Sequence, residues 1–426
     1  MSENAWIRRG MWVLGAALCP MLGCDPEPEP TPDPTPGTRV QLRVPLYSYI
    51  PDAAGDGLKA MAARLESDFE RQHPEVDLVV NPSCFKDDLY EPTQLASSLK
   101  GEGDCAYDVV ETDTAILGEL VGTGAVRPWS ALPQGPNWHP AGIAASTLDG
   151  KLYGVPHWLC AHYIVSRSES VSNARTVDEL VRILSSRKTP EVDLAANLLG
   201  SWNLPSLYLD AWTDTYGPAQ VQSAVTTERY DTQVLAGLKK LAGACETSTG
   251  NPCIDGTYDA AENIDLPATL FAEGKADVTL GYSERLHTIL KKLPAGANRE
   301  ELRISPAPLG EGNQPLLFTD SFFLGARCVD ECEKAAIAFV NYMSQASTFA
   351  WILLSEDAPE AGRVPRYLMP AALDAYQAPG LREDPFYQQI DLTTRTGGAF
   401  PNKGLLEIRK TMRDHILQEL TTATVP

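Results

Sequence analysis

Apolar and polar residues alternate across 40–49 (VQLRVPLYSY), a stretch rich in β-formers that predicts a first strand. Leu58, Met61, Leu65 and Phe69 then recur at helical spacing, which predicts a helix over 58–72. Further strands are predicted over 76–80 and 107–110, the latter ending at Glu111 and Asp113, with a helix over 115–121. A turn at 150–154 leads into a strand that runs on through Cys160. Beyond it the pattern predicts helices over 176–184, 230–243, 267–273, 284–292 and 330–345. It predicts strands over 276–282, 302–306, 316–318 and 322–325, and a mainly helical stretch from 349 to 421 broken by prolines. The repeated order strand, helix, strand implies an α/β fold with parallel pairing and crossover helices.

The first residues carry a different pattern. Arg8 and Arg9 precede a short apolar run from Met11 to Leu22 that ends in Gly23 and Cys24. The run is shorter than the roughly 20 residues a membrane span needs and reads as a signal peptide over 1–24. Met21-Leu22-Gly23-Cys24 resembles a lipoprotein cleavage box, with Met where Leu is usual. The expectation is an exported, membrane-anchored lipoprotein, periplasmic or on the cell surface, touching the membrane only through a lipid on Cys24. Residues 25–38 begin DPEPEPTPDPTP. Such alternation favours extended geometry, cannot bury a core, and suits a tether.

About 390 residues follow, more than one core usually takes, so two lobes are expected. The chain has 35 Lys and Arg against 56 Asp and Glu, a formal net charge of −21. That excludes a basic nucleic-acid footprint and favours small cations over phosphates or anionic lipid.

Of nine cysteines, Cys19 lies in the signal and Cys24 is the lipid site. Six of the remaining seven form sequence-local couples: Cys84 with Cys105, Cys245 with Cys253, and Cys328 with Cys332. An oxidising compartment favours all three as disulfides, and the odd count leaves Cys160 alone. A solitary thiol there is either a reactive nucleophile or a buried, inert residue. A nucleophile needs a base, and Glu284, His157 and His162 are candidates. On a continuous strand Cys160 and His162 would share a side. Glu284 opens a predicted helix behind Ser283 as cap, where the helix dipole alone would also favour a glutamate. No spacing of Cys and His suggests a metal site, and no cofactor is expected.

Three segments, DGKLYGVPHWLCAHYIV (149–165), FAEGKADVTLGY (271–282) and LRISPAPLG with LLFTDSFFLG (302–325), come in an order that resembles type II extracellular solute-binding proteins. The resemblance implies a two-lobed periplasmic-binding-protein type II fold with a cleft between the lobes. Lobe 1 would hold 39–150 and 302–345, and lobe 2 would hold 151–301 and 346–426. Within that fold, YGVPHWLC ending at Cys160 and Gly281-Tyr282-Ser283-Glu284 look like thiaminase I, the thiamine pyridinylases.

That second resemblance implies a transferase that replaces the thiazole of thiamine with an amine or thiol. Cys160 would be the nucleophile and Glu284 the base. Tyr47, Tyr49, Asp113, Tyr282 and Asp320 would bind thiamine or a related pyrimidine. Phe318 stands where the family has a tyrosine. The expected partners are thiamine or its relative and the amine or thiol co-substrate, with the protein acting as a monomer. The alternative is a non-enzymatic solute-binding lipoprotein of an ABC transporter, which would accept the same fold, export and tether.

Overall fold

The computed structural model describes residues 39–86, 89–102, 105–187, 192–260 and 265–422. The expected signal peptide, Cys24 and the tether lie outside the described residues. Among the described residues, no helix is long and apolar enough to cross a membrane.

Strand β1 (Val40–Val44) pairs in parallel with β2 (Val76–Val80). Helix α1 (Lys59–Gln72) packs on β2 and buries the predicted Met61, Leu65 and Phe69. β3 (Val109–Asp113) lies beside β1, tied by Asp108 N–H to the Arg43 carbonyl at 3.0 Å and Glu111 N–H to the Pro45 carbonyl at 2.9 Å.

Two mixed sheets carry the rest. The first is built around β4 (Gly154–Cys160) and β9 (Leu316–Gly325), with β3 and the short strands Val126–Arg127, Met369–Pro370 and Gly398–Ala399. The second runs in the order β8 (Arg303–Pro306), β5 (His162–Ser166), β7 (Ala276–Tyr282), β6 (Val192–Ala196). The chain crosses from the first sheet to the second between Cys160 and His162, and returns from β8 to β9.

The expectation of parallel pairing is met in some pairs and corrected in others. β1 with β2 and β6 with β7 are parallel. β4 with β9, β3 with β9, β5 with β7 and β5 with β8 are antiparallel. A segment leaving a sheet and a segment returning to it, side by side, must run in opposite senses. The crossing also breaks the strand expected to continue past Cys160: that residue ends β4, and His162 begins β5 in the other sheet.

The strands predicted over 316–318 and 322–325 are one, with all ten residues buried. The polar centre Thr319-Asp320-Ser321 interrupts the apolar pattern but not the strand. Ser321 is satisfied by the Ser146 hydroxyl at 2.8 Å. Residues 346–422 reach both sheets. Met369–Pro370 and Gly398–Ala399 pair with β4 and β9, while the helix Pro385–Thr394 packs on β8.

The three expected disulfides are present, with Cα separations of 5.5, 6.0 and 5.1 Å for Cys84–Cys105, Cys245–Cys253 and Cys328–Cys332, within the reach such bonds require. Cys160 is the free cysteine among the described residues, and it is buried.

Candidate active site

Strand alternation puts the acid residues on one face. Cys160 pairs with Phe318, Trp158 with Asp320, and Asp320 in turn with Asp113 across β3. Directly opposed residues, and residues two apart on one strand, project to the same side. Cys160, Asp320 and Asp113 therefore point together into a cavity of about 510 Å³ between the sheets. The register between β4 and β9 shifts at Asp320 and Ser321, leaving His157 unmatched between Trp158 and Pro156. Such a bulge re-aims side chains locally.

The opposite wall comes from the second sheet. Tyr282 ends β7 and stacks on His162, ring centroids 5.1 Å apart. Glu284 follows, ahead of helix α3 (Arg285–Lys292), and is buried with one carboxylate oxygen unpartnered. Ser283 does not cap this helix: its hydroxyl is buried without a partner. The chain turns at Ser283 so tightly that Glu284 itself occupies the cap position, in helical conformation.

Tyr47 and Tyr49 enter from the loop after β1. Tyr47 N–H donates to Glu111 Oε2 at 3.0 Å, and Glu111 also binds the His157 ring, so one buried carboxylate fixes both. The Tyr47 and Tyr49 rings lie 5.6 Å apart. Tyr49 is 46 % exposed and sits at the cavity mouth.

Cys160 Sγ donates to Asp320 Oδ2 at 3.9 Å, a long contact even for sulfur. Burial pushes the thiol well above its ordinary range, and Glu284, Asp320 and Asp113 push it further, while a hydrogen bond from Tyr47 opposes them. Burial likewise pushes Asp113 up to about 7 and Glu284 upward, the latter offset in part by Arg285. Asp320 rises well above the carboxylate range through burial and then Asp113, and its second oxygen has no partner. Burial thus favours the protonated form of the thiol, and the carboxyl groups around it oppose one another's ionisation.

The two histidines proposed as bases are engaged elsewhere. His157 lies against Trp158, Phe322 and Phe349 beneath the strand. His162 lines the cavity, but its Nδ1 is 2.8 Å from Asp210 Oδ2. Burial lowers His162 to about 3 and raises Asp210, and the contact with Asp210 occupies that ring nitrogen. Phe318 stacks on Phe400 at 4.1 Å and meets Tyr282 edge-on, a packing role that needs no hydroxyl.

All seven residues picked from the sequence line this cavity. Several others were not picked. Tyr90 comes from the segment bridged by Cys84–Cys105. Trp202 precedes helix α2 (Asn203–Tyr216). Arg409 and Arg413 come from helix α4 (Leu405–Thr421).

No family model matches the chain, and no curated protein matches it. Solved structures do. Thiaminase I from Bacillus thiaminolyticus superposes with a TM-score of 0.68 at 20% identity, covering 90% of this chain and 100% of that one. Clostridium botulinum thiaminase I, solved in complex with thiamin, gives 0.69 at 18%, covering 89% and 98%. The GacH receptor of Streptomyces glaucescens, solved unliganded and with acarbose, gives 0.63 at 18%, covering 90% and 94%. At such identities the likeness concerns the fold, which is that of the type II periplasmic binding proteins.

Proposed function

We propose that this chain is a thiaminase I-like transferase, cleaving thiamine by replacing its thiazole with an amine or thiol. The observation that carries this reading is the free thiol of Cys160, buried where the chain crosses between sheets and facing Asp320, Asp113 and Glu284. A receptor has no need of such a nucleophile. The fold is shared with thiaminase I and with sugar receptors alike, so the chemistry of the cavity must choose between them.

The residues suit the reaction. An acidic cavity draws the cationic thiazolium, and Tyr47, Tyr49 and Tyr282 offer aromatic faces to both rings. Asp113 and Asp320, which line the same cavity, would accept from the aminopyrimidine. The Cys160 thiolate, its proton taken by a carboxylate, would add to the pyrimidine ring. The bond from the methylene to the thiazolium nitrogen would break, its electron pair staying on nitrogen and cancelling the charge. Glu284 would then deprotonate the incoming amine or thiol as it bonds to the methylene, and the ring would expel Cys160.

The same proposal includes export and a lipid on Cys24, with the lobes dividing where the chain changes sheet, after Cys160 and between β8 and β9, rather than at the residues stated above. The receptor reading is supported by neighbours solved with sugars at somewhat lower TM-scores, 0.63 and 0.60. Mass spectrometry of the purified protein mixed with thiamine and an aromatic amine separates the two. Formation of the pyrimidinylmethyl-amine adduct supports the transferase. Thiamine binding with no product across several amines and thiols replaces it with the receptor.

A further inference from the structure

The carboxyl groups around Cys160 account for one pole of the cavity. A second pole lies along an aromatic wall. From Tyr47 the ring contacts run to Tyr49 at 5.6 Å, on to Tyr90 at 6.2 Å and on to Trp202 at 5.5 Å. The guanidinium of Arg409 lies 4.6 Å over Trp202. Arg413, four residues on along α4 and so on the same face, also lines the cavity.

Arg409 is the less satisfied of the two. Its Nε is buried with no hydrogen-bond partner, and it forms no ion pair among the described residues. Burial lowers its pKa, and the exposed Glu91 is the acid that opposes this. Arg413 donates to Asp414 Oδ1 through Nε at 2.8 Å and pairs with it through Nη2 at 2.7 Å, which leaves Nη1 to face a ligand. A buried guanidinium edge without a partner is costly to maintain, and an acidic protein has no general attraction for anions. Two cations facing a cavity whose far end is acidic therefore favour a ligand with a positive reacting end and a negative tail.

Resting on the function proposed above, we infer that Arg409 and Arg413 form an anion subsite that selects phosphate esters of the thiazolium alcohol over the free alcohol. The guanidinium fork matches a phosphoryl group with paired, charge-assisted hydrogen bonds. The Trp202 ring beneath Arg409 holds that fork in place.

The test compares kcat/KM for thiamine, its monophosphate and its diphosphate, with one aromatic amine as co-substrate. It uses the wild type, Arg409→Gln, Arg413→Gln and the double variant. The wild type should prefer the esters by about tenfold, the scale of one or two partly exposed charge-assisted bonds. The double variant should bring that preference to about one. Arg413→Gln, at a half-buried position, serves alone if Arg409→Gln fails to fold, and should reduce the preference by several-fold. No preference in the wild type, or a preference that survives the substitutions, overturns the subsite while leaving thiamine cleavage standing. If the wild type cleaves none of the three compounds, the function falls, and calorimetry with inorganic pyrophosphate decides the subsite by itself. Binding lost in Arg413→Gln upholds it, and no binding by the wild type overturns it.

Discussion

Asp113→Asn isolates the electrostatic cost of opposing two buried acids. Asp113 faces Asp320 in register, and burial holds its pKa near 7 against an ordinary 3.8. A carboxyl with a raised folded-state pKa binds its proton more tightly in the folded chain. Stability therefore falls as pH rises from about 4, and the loss is complete above about 7. Fully expressed, that gap corresponds to roughly 4 kcal/mol. Asp113 ends its strand partly exposed, and solvent screening reduces the figure to about 2 kcal/mol. The variant removes the charge but keeps the oxygen that accepts from Ala115 N–H at 2.7 Å. It should melt about 2–3 °C above the wild type at pH 8 and level with it near pH 4. Thermal melts of both proteins across that range test this. Equal melting at every pH, or destabilisation at pH 8, would show that Asp113 is ionised without cost and refute the account of a strained acid pair.

Under the proposed function, Cys160→Ser should abolish turnover while thiamine still binds by calorimetry, because a hydroxyl is a far poorer nucleophile than a thiolate; turnover within tenfold of wild type would exclude the thiol as nucleophile. Glu284→Gln should bind comparably and turn over roughly 100- to 10,000-fold more slowly, whereas Asp320→Asn should mainly weaken binding. A reversal of those two patterns in steady-state kinetics would exchange their roles, an outcome given weight by the Asp320 oxygen that accepts from Cys160 at 3.9 Å. Cys24→Ser should move the protein out of the host's membrane fraction, and unchanged retention on fractionation would argue against the lipid.

What the sequence disclosed followed local physics. β2 and β7 were legible to the residue because their apolar runs are short, bounded and β-branched. Cys160 was legible by subtraction, since its six companions pair locally. Helix α2 was not legible. Its residues from Leu204 to Ala211 are all buried, so it shows no polar face, and Pro205 stands in its first turn. Trp202 beside it and Arg409 over it were lost for the same reason, because their meaning lies in a packing partner far along the chain. Tyr90 could have been suspected only from the disulfide that braces its segment. The family resemblance implies that the chain changes lobe within 149–165, but the point of change at Ala161 was not legible, since β4 and β5 read as one strand until their different partners are known.

The hidden crossover matters chemically. Because β4 ends at Cys160, the thiol sits at the last paired position of the first sheet, while Tyr282 and Glu284 arrive from the second. The acids that raise the thiol thus come from both sides. Each acid hinders the ionisation of the others, and a neutral thiol in that setting is a poor nucleophile. A neutral sugar would leave this balance as it is. A permanent cation lying among the same groups would lower the pKa of every one of them and favour transfer of the thiol proton to a carboxylate. Under the proposed reading, the charge that makes thiamine a good leaving-group substrate is also the charge that would ionise the nucleophile. Reactivity would then be withheld until the substrate is in place, which would suit a thiol in the oxidising compartment that the proposed export implies.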